Sequence, residues 1–243
     1  MHSKDNGGHI VSAFDDDLMA VLARLAEMGG IAEDMLSQAL EGVERRDLAM
    51  CEAVIARDKR LDELELATDE MVTRTLALRQ PMALDLRLLI AALKMSSTLE
   101  RVGDLSKSIA RRGTDLSRSK PQRLTSSVVR MGREVQRQFS EALDAFTSRD
   151  VEAALGIWRR DVEIDELYNA LFRELVTYMM EDPRTITVGS HYLFIAKNLE
   201  RIGDHATHIA ELTHYLVRGT IISADRPRGP HAETQDRSPD DDS

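Results

Sequence analysis

Eight acidic residues stand out by their spacing. Asp58 and Asp62, Glu100 and Asp104, Asp161 and Asp165, and Glu200 and Asp204 form four pairs, each four residues apart. On an α-helix, positions i and i+4 share a face and lie roughly 6 Å apart along the axis, so each pair presents two carboxylates side by side. Such carboxylates repel one another, and the repulsion grows as water is excluded. Relief comes from bound protons or bound cations. All-oxygen donor sets favour hard ions such as magnesium, manganese, calcium or iron, and also admit zinc. A carboxylate can bridge two ions, which allows a multinuclear centre. One pair alone carries no information, because 42 acidic residues in 243 would place about seven such pairs by chance.

The four pairs differ from chance because they occupy equivalent positions in an internal repeat. Leu99-Glu100-Arg101-Val102-Gly103-Asp104 returns as Leu199-Glu200-Arg201-Ile202-Gly203-Asp204, an offset of 100. Upstream, Arg46-Asp47 returns as Arg149-Asp150 and Leu61-Asp62-Glu63-Leu64 as Ile164-Asp165-Glu166-Leu167, an offset of 103. The slip falls in a joint marked by Pro81 in the first copy and Pro183 in the second. A duplicated three-helix unit is the economical reading.

Helices must position these carboxylates. Apolar residues recur every three or four positions, as in Phe14, Leu18, Leu22, Leu25, Met28, Met35 and Leu40. The periodicity and breakers predict helices from about 14 to 40, 48 to 78, 83 to 112, 123 to 147, 151 to 181 and 184 to 217, with Gly219 as a cap. The fold class expected is all-α, two tandem three-helix bundles related by internal duplication. The division is a flexible arm at 1–13, a first unit at 14–113, a linker at 114–121, a second unit at 122–219 and a disordered acidic tail at 220–243. Whether the bundles lie side by side or end to end stays open.

Within each unit the acidic pairs fall on the last two helices, which a short joint makes antiparallel neighbours. Ile157, Asp161, Asp165, Tyr168, Phe172, Leu175 and Met179 follow at steps of three or four, which places the fifth helix's pair in its apolar stripe. Four carboxylates would then share each site, with few cations to neutralise them. Lys107 can reach Asp104, Lys197 can reach Glu200, and His208 can reach Asp204. The alternative is that Arg101 and Arg201 swing round onto the acids, or that the acids point to water on a dimer rim. Gly103 and Gly203, inside helices, indicate close helix approach or room for something bound.

Composition sets the broad class. Apolar residues make up 42% of the chain, charged residues 30% and aromatics 4%, as in a helical globular protein rather than a disordered or sheet-rich one. The net charge of −10 disfavours nucleic acid and anionic membranes. Cys51 is the single cysteine, the N-terminus lacks a signal-like apolar run, and the longest apolar run, Leu88 to Leu93, is too short to cross a bilayer. A cytoplasmic location without membrane insertion is expected.

Asn198-Leu199-Glu200-Arg201-Ile202-Gly203-Asp204-His205-Ala206, its counterpart Leu99 to Asp104, and Pro81 with Asp85-Leu86-Arg87 resemble the PhoU family of phosphate-transport regulators. The resemblance covers roughly residues 10–218. It implies a six-helix, two-bundle, often dimeric protein whose acidic motifs are associated with multinuclear clusters of metal ions, iron or zinc among them. Carried onto this chain, the ligands are Asp58, Asp62, Glu100, Asp104, Asp161, Asp165, Glu200 and Asp204, with iron, zinc, manganese or magnesium as cofactors. It further implies a negative regulator of phosphate uptake and of the phosphate-starvation response. Its partners would be a second copy of the chain, the phosphate ABC transporter ATPase and a sensor histidine kinase. Family members commonly carry Asn where this chain has His208. Leu105-Ser106 in the first repeat faces His205-Ala206 in the second, so the two sites are expected to differ.

The rival reading is a carboxylate-bridged di-metal or iron-oxidising enzyme. Such sites add Glu-x-x-His motifs from facing helices, whereas Gly103 and Gly203 stand three residues after Glu100 and Glu200. No Gly-rich phosphate loop is present, since Gly29-Gly30 is not followed by Lys-Ser/Thr, and no Ser-His-Asp or Cys-His arrangement is evident. The expectation is a regulator and not an enzyme.

Overall fold

The computed structural model describes residues 6–119 and 123–222. The expectations for residues 1–5, for 120–121 of the linker and for the tail from 223 onward lie outside the described residues. Among the described residues the chain forms six α-helices: α1 (Asn6–Arg45), α2 (Leu48–Arg79), α3 (Ala83–Ser117), α4 (Thr125–Ser148), α5 (Val151–Glu181) and α6 (Ile186–Arg218). A 3-10 turn, Pro183–Thr185, precedes α6.

The duplication is visible in the joints. Arg46 and Arg149 take left-handed backbone angles, φ 59° and 56°, and end α1 and α4. The next residues, Asp47 and Asp150, cap α2 and α5 by accepting hydrogen bonds from Met50 N and Ala153 N, each 3.0 Å. These bonds satisfy amide groups that the first helical turn leaves unpaired. Behind each cap the Asp backbone N–H donates to a carbonyl five residues back, Gly42 O at 3.0 Å and Ala145 O at 2.9 Å. Gly219, at φ 75°, ends α6 as expected.

Two boundaries depart from the sequence reading. α1 starts at Asn6, so 6–13 is helical backbone rather than a loose arm. Apolar periodicity begins only at Phe14, and it marks the packed part of a helix rather than its full length. α3 runs through Gly113 to Ser117, four residues into the expected linker. Gly113 is small because it packs, not because it terminates. A Cβ there would lie 2.7 Å from the Cys51 sulfur and 3.2 Å from a Val43 methyl.

Within the first unit α1, α2 and α3 pack on one another, as do α4, α5 and α6 in the second. The units lie side by side, joined through α3 against α6 and α1 against α4. Asn198 donates to Ser108 Oγ at 2.9 Å, and the Arg112 guanidinium stacks 4.2 Å over Phe194. Lys94 sits 6.0 Å over Tyr215. Rising numbers on α3 meet falling numbers on α6, so these two central helices are antiparallel. One continuous apolar core runs through both units, from Val21 and Leu25 to Leu212 and Leu216. Leu40 of α1 fills the space beside Gly132 of α4, where no side chain would fit unshifted. Gly103 takes the Leu61 side chain against it, and Gly203 takes Ile164, the residue equivalent to Leu61. Both glycines therefore serve close approach of the last two helices in each unit.

Candidate functional site

The first acidic face is built by α2 and α3. Asp58 is buried, 5% exposed, and its Oδ2 pairs with the Nζ of Lys107 on α3. The same ammonium lies 3.3 Å from Asp104 Oδ1. Its hydrogen bond to Asp58 raises the lysine's pKa, with Asp104 adding to the effect. Asp62 is exposed, yet its carboxyl titrates above the ordinary range through residual desolvation and then the charges of Asp58 and Asp104. Glu100 is pushed up to about 7 by burial first, then by Asp104 and Glu65. Arg101 has swung onto Glu100, 3.6 Å from Oε2, and opposes that shift.

The face extends beyond the pairs read from the sequence. Glu65 is raised by burial and by Asp69, and Asp69 accepts a hydrogen bond from Ser96 at 3.2 Å. Asp58, Asp62, Glu65 and Asp69 thus form a ladder of steps four, three and four along α2. These steps are visible in the sequence, but Glu65 and Asp69 have no acidic counterpart in the second repeat. At the equivalent positions of α5 the second unit carries Tyr168 and Phe172.

The second face is built by α5 and α6. Asp161 is 4% exposed and accepts a 2.7 Å hydrogen bond from Thr207 Oγ1, which accepts one of 3.2 Å from Gln138 on α4. Glu200 Oε1 pairs with Lys197 at 2.8 Å, while Glu200 Oε2 is buried without a hydrogen-bond partner. Asp165 and Asp204 are half-buried, and each has an interaction partner. Asp161 lies in the apolar stripe as expected. Asp165 sits at its edge, because Ile164 takes the inward position, and Phe172 is 41% exposed rather than packed. Lys197 also lies 5.3 Å over the Tyr168 ring, whose hydroxyl burial pushes upward. His208 stands 3.3 Å from Glu211.

The two faces therefore share a plan and differ in chemistry. Among the described residues no three His, Cys, Asp or Glu side chains gather closely enough to hold an ion as they stand. On the second face the carboxylates of Asp161, Asp165, Glu200 and Asp204 are donors of the type that a hard cation takes, and Glu200 Oε2 is buried without a hydrogen-bond partner. On the first face the Lys107 ammonium already bridges Asp58 and Asp104.

A family profile described as the PhoU domain matches residues 25–113 and again 128–213. The chain belongs to the PhoU family. Both matches coincide with the three-helix units, so the duplication is of the whole PhoU domain. The chain is 48% identical to a phosphate-specific transport system accessory protein PhoU homolog of Caulobacter vibrioides, over 90% of this chain and 96% of that one. It is 36% identical to the Escherichia coli K12 accessory protein PhoU, over 90% of this chain and 91% of that one. The crystal structure of PhoU from Pseudomonas aeruginosa superposes with a TM-score of 0.83 at 41% identity, covering 85% of this chain and all of that one. The phosphate transport system regulatory protein PhoU from Streptococcus pneumoniae does so at 0.80 and 29%, covering 87% of this chain. Among the described residues of this PhoU protein no helix is long and apolar enough to cross a membrane.

Proposed function

We propose that this PhoU protein is an accessory regulator of phosphate transport that restrains phosphate uptake and represses the phosphate-starvation response. It acts in the cytoplasm as a homodimer and links the phosphate ABC transporter ATPase to a sensor histidine kinase. The supporting observation is the PhoU domain in both halves, in a chain aligned nearly end to end with relatives named as phosphate-specific transport accessory proteins. Metal ions, of iron, zinc, manganese or magnesium, belong to this reading as structural ligands of the carboxylate faces. Asp161, Asp165, Glu200 and Asp204 would hold them in the second unit. A bound cation would neutralise the facing carboxylates and tie α5 to α6. Asp58, Asp62, Glu100 and Asp104 form the equivalent set in the first unit.

The test is genetic. Deleting the gene should switch on a phosphate-starvation promoter fusion in phosphate-rich medium, and the wild-type chain supplied in trans should silence it again. A fusion that stays silent in the deletion strain would overturn the regulatory reading.

A further inference from the structure

α1 carries two adjacent glycines in its interior, Gly29 and Gly30. Glycine weakens a helix interior relative to alanine, so a pair of them at mid-helix calls for a physical reason. Gly103, Gly132 and Gly203 have one, since a Cβ on any of them would press on a side chain of a neighbouring helix at 3.0 Å or less. A Cβ on Gly29 would make an ordinary contact with Leu143 at 3.4 Å, and one on Gly30 would meet nothing within 4 Å. Close helix approach therefore does not account for Gly30.

Gly30 lines a cavity of about 330 Å³ between the two units. The walls come from α1 and from the C-terminal end of α4, and the two central helices contribute Met95 of α3 and Leu216 of α6. Met95, Leu216, Leu25 and Phe146 are buried members of the apolar core, so the cavity reaches down to that core. Its charged lining residues lie towards solvent: Glu33 is half-buried, and Asp144 and Arg149 are exposed. None of these three side chains forms an ion pair among the described residues. Small-molecule sites occupy roughly 300–1,000 Å³, favour the junctions between domains or bundled helices, and combine an apolar lining with a few polar groups. This cavity has each of those properties.

The lining selects the ligand. An apolar floor takes an apolar body, because contact removes surface of both from water. Two carboxylates against one guanidinium leave the rim net negative, in a chain whose own charge is −10, so a cationic head is attracted and an anionic one repelled. We propose that this cavity binds a small amphipathic organic cation, an aryl- or alkylammonium, with its apolar body on Met95 and Leu216 and its cationic head at Glu33 and Asp144. Such a ligand touches α1 and α3 of the first unit and α4 and α6 of the second at once. Its binding strengthens the joint between the units, because a ligand stabilises the form that holds it. The molecule thereby gains an input separate from its carboxylate faces.

The experiment titrates the full-length protein by isothermal calorimetry with phenylbutylammonium, the neutral analogue phenylbutanol and the anionic analogue phenylbutyrate. The ammonium should bind about tenfold more tightly than the carboxylate, with the alcohol between them. Gly30→Phe and Ala26→Phe fill the cavity from its α1 wall and leave the net charge unchanged. Each should keep the helical circular dichroism of the wild type and weaken the ammonium by about tenfold or more. Glu33→Gln, which preserves shape, should weaken the ammonium by about threefold to tenfold and leave the alcohol unaffected. Ammonium binding that survives in a folded phenylalanine variant would belong to the acidic surface and overturn the proposal. Carboxylate binding as tight as ammonium binding overturns it too, as does the failure of all three probes to bind the wild type. Should both phenylalanine variants unfold, Glu33→Gln decides: an unchanged ammonium affinity there overturns the assigned ligand class, and a selective loss supports it.

Discussion

The sulfur of Cys51 on α2 is seated against Gly113 on α3, so closely that a Cβ on the glycine would stand 2.7 Å from it. A Cβ on Gly42 of α1 would stand at the same distance from the other side. Three helices thus converge on one thiol. Gly113→Ala gains up to about 1 kcal/mol of helix propensity. It forces an overpacked contact near a short, stiff side chain, which costs about 1–3 kcal/mol. The net expectation is destabilisation by about 1–2 kcal/mol, partly recovered when Cys51→Ala is added, because the two sites share the contact. Chemical denaturation of the single and double variants checks this. A Gly113→Ala protein as stable as wild type would show that the helices can part without cost.

The same seat makes the thiol inert. Cys51 is fully buried, and burial first, then the charges of Asp47 and Glu52, push its pKa up to about 11. The thiolate is the reactive form, so alkylation in the native state between pH 7 and 9 should be negligible and should appear only as the protein unfolds. Because the folded pKa lies above the ordinary 9, stability from this group is complete below pH 9 and is lost as pH rises from 9 towards 11. Rapid labelling of native protein by a maleimide would contradict the packing.

Gly113 also shows where the sequence reading succeeds and fails. Helix placement rested on periodicity and breakers, and α5 emerges with the expected ends, Val151 and Glu181, because Asp150 and the Asp182-Pro183 step are strong local signals. Gly113 carries the same letter as a terminator, and only the sulfur opposite it, 62 positions away, explains it as a packing residue. At the acidic faces the duplication singled out Asp58 and Asp161, which are buried, together with Asp62, which is exposed, but it hid Glu65 and Asp69, whose counterparts Tyr168 and Phe172 are aromatic. The i+3 reach of Lys107 to Asp104 was legible, whereas its pairing with Asp58 required knowing how α2 and α3 are aligned.

The Arg-Asp joints offer two substitutions of opposite sign. Arg149 holds φ 56° on the surface, a conformation that strains any residue with a Cβ. Arg149→Gly should stabilise the protein by about 1 kcal/mol by removing that strain. Asp150→Ala should cost about 1 kcal/mol through loss of the cap on Ala153 N, and Asp150→Asn should cost little. Thermal melts of the three variants settle the signs. Equal effects of the alanine and asparagine variants would remove the cap from the explanation.

Thr207 bridges two buried groups, donating to Asp161 and accepting from Gln138. Thr207→Val keeps the shape and deletes the hydroxyl, which should cost about 1–3 kcal/mol because the polar groups stay buried. Thr207→Ser should recover most of the loss. This pattern is expected in chelator-treated protein. A valine variant that matches the wild type under those conditions would mean that the chain from Gln138 to Asp161 is not formed in solution.

Glu100 gives the first face a pH dependence of calculable sign. Its carboxyl titrates at about 7 against an ordinary 4.5, owing to burial and then to Asp104 and Glu65. The folded chain therefore holds a proton that the unfolded chain releases. Its contribution to stability is complete below pH 4.5 and is lost as pH rises through 7. In metal-free protein the melting temperature of the wild type should fall relative to that of Glu100→Gln between pH 5 and 8, since glutamine stays neutral and keeps the shape. The difference between the two proteins isolates this one group from every other titration. A difference constant over that range would place the Glu100 carboxyl in water with an ordinary pKa, and the crowding of carboxylates between α2 and α3 would have to be looser than the packing of Leu61 on Gly103 requires.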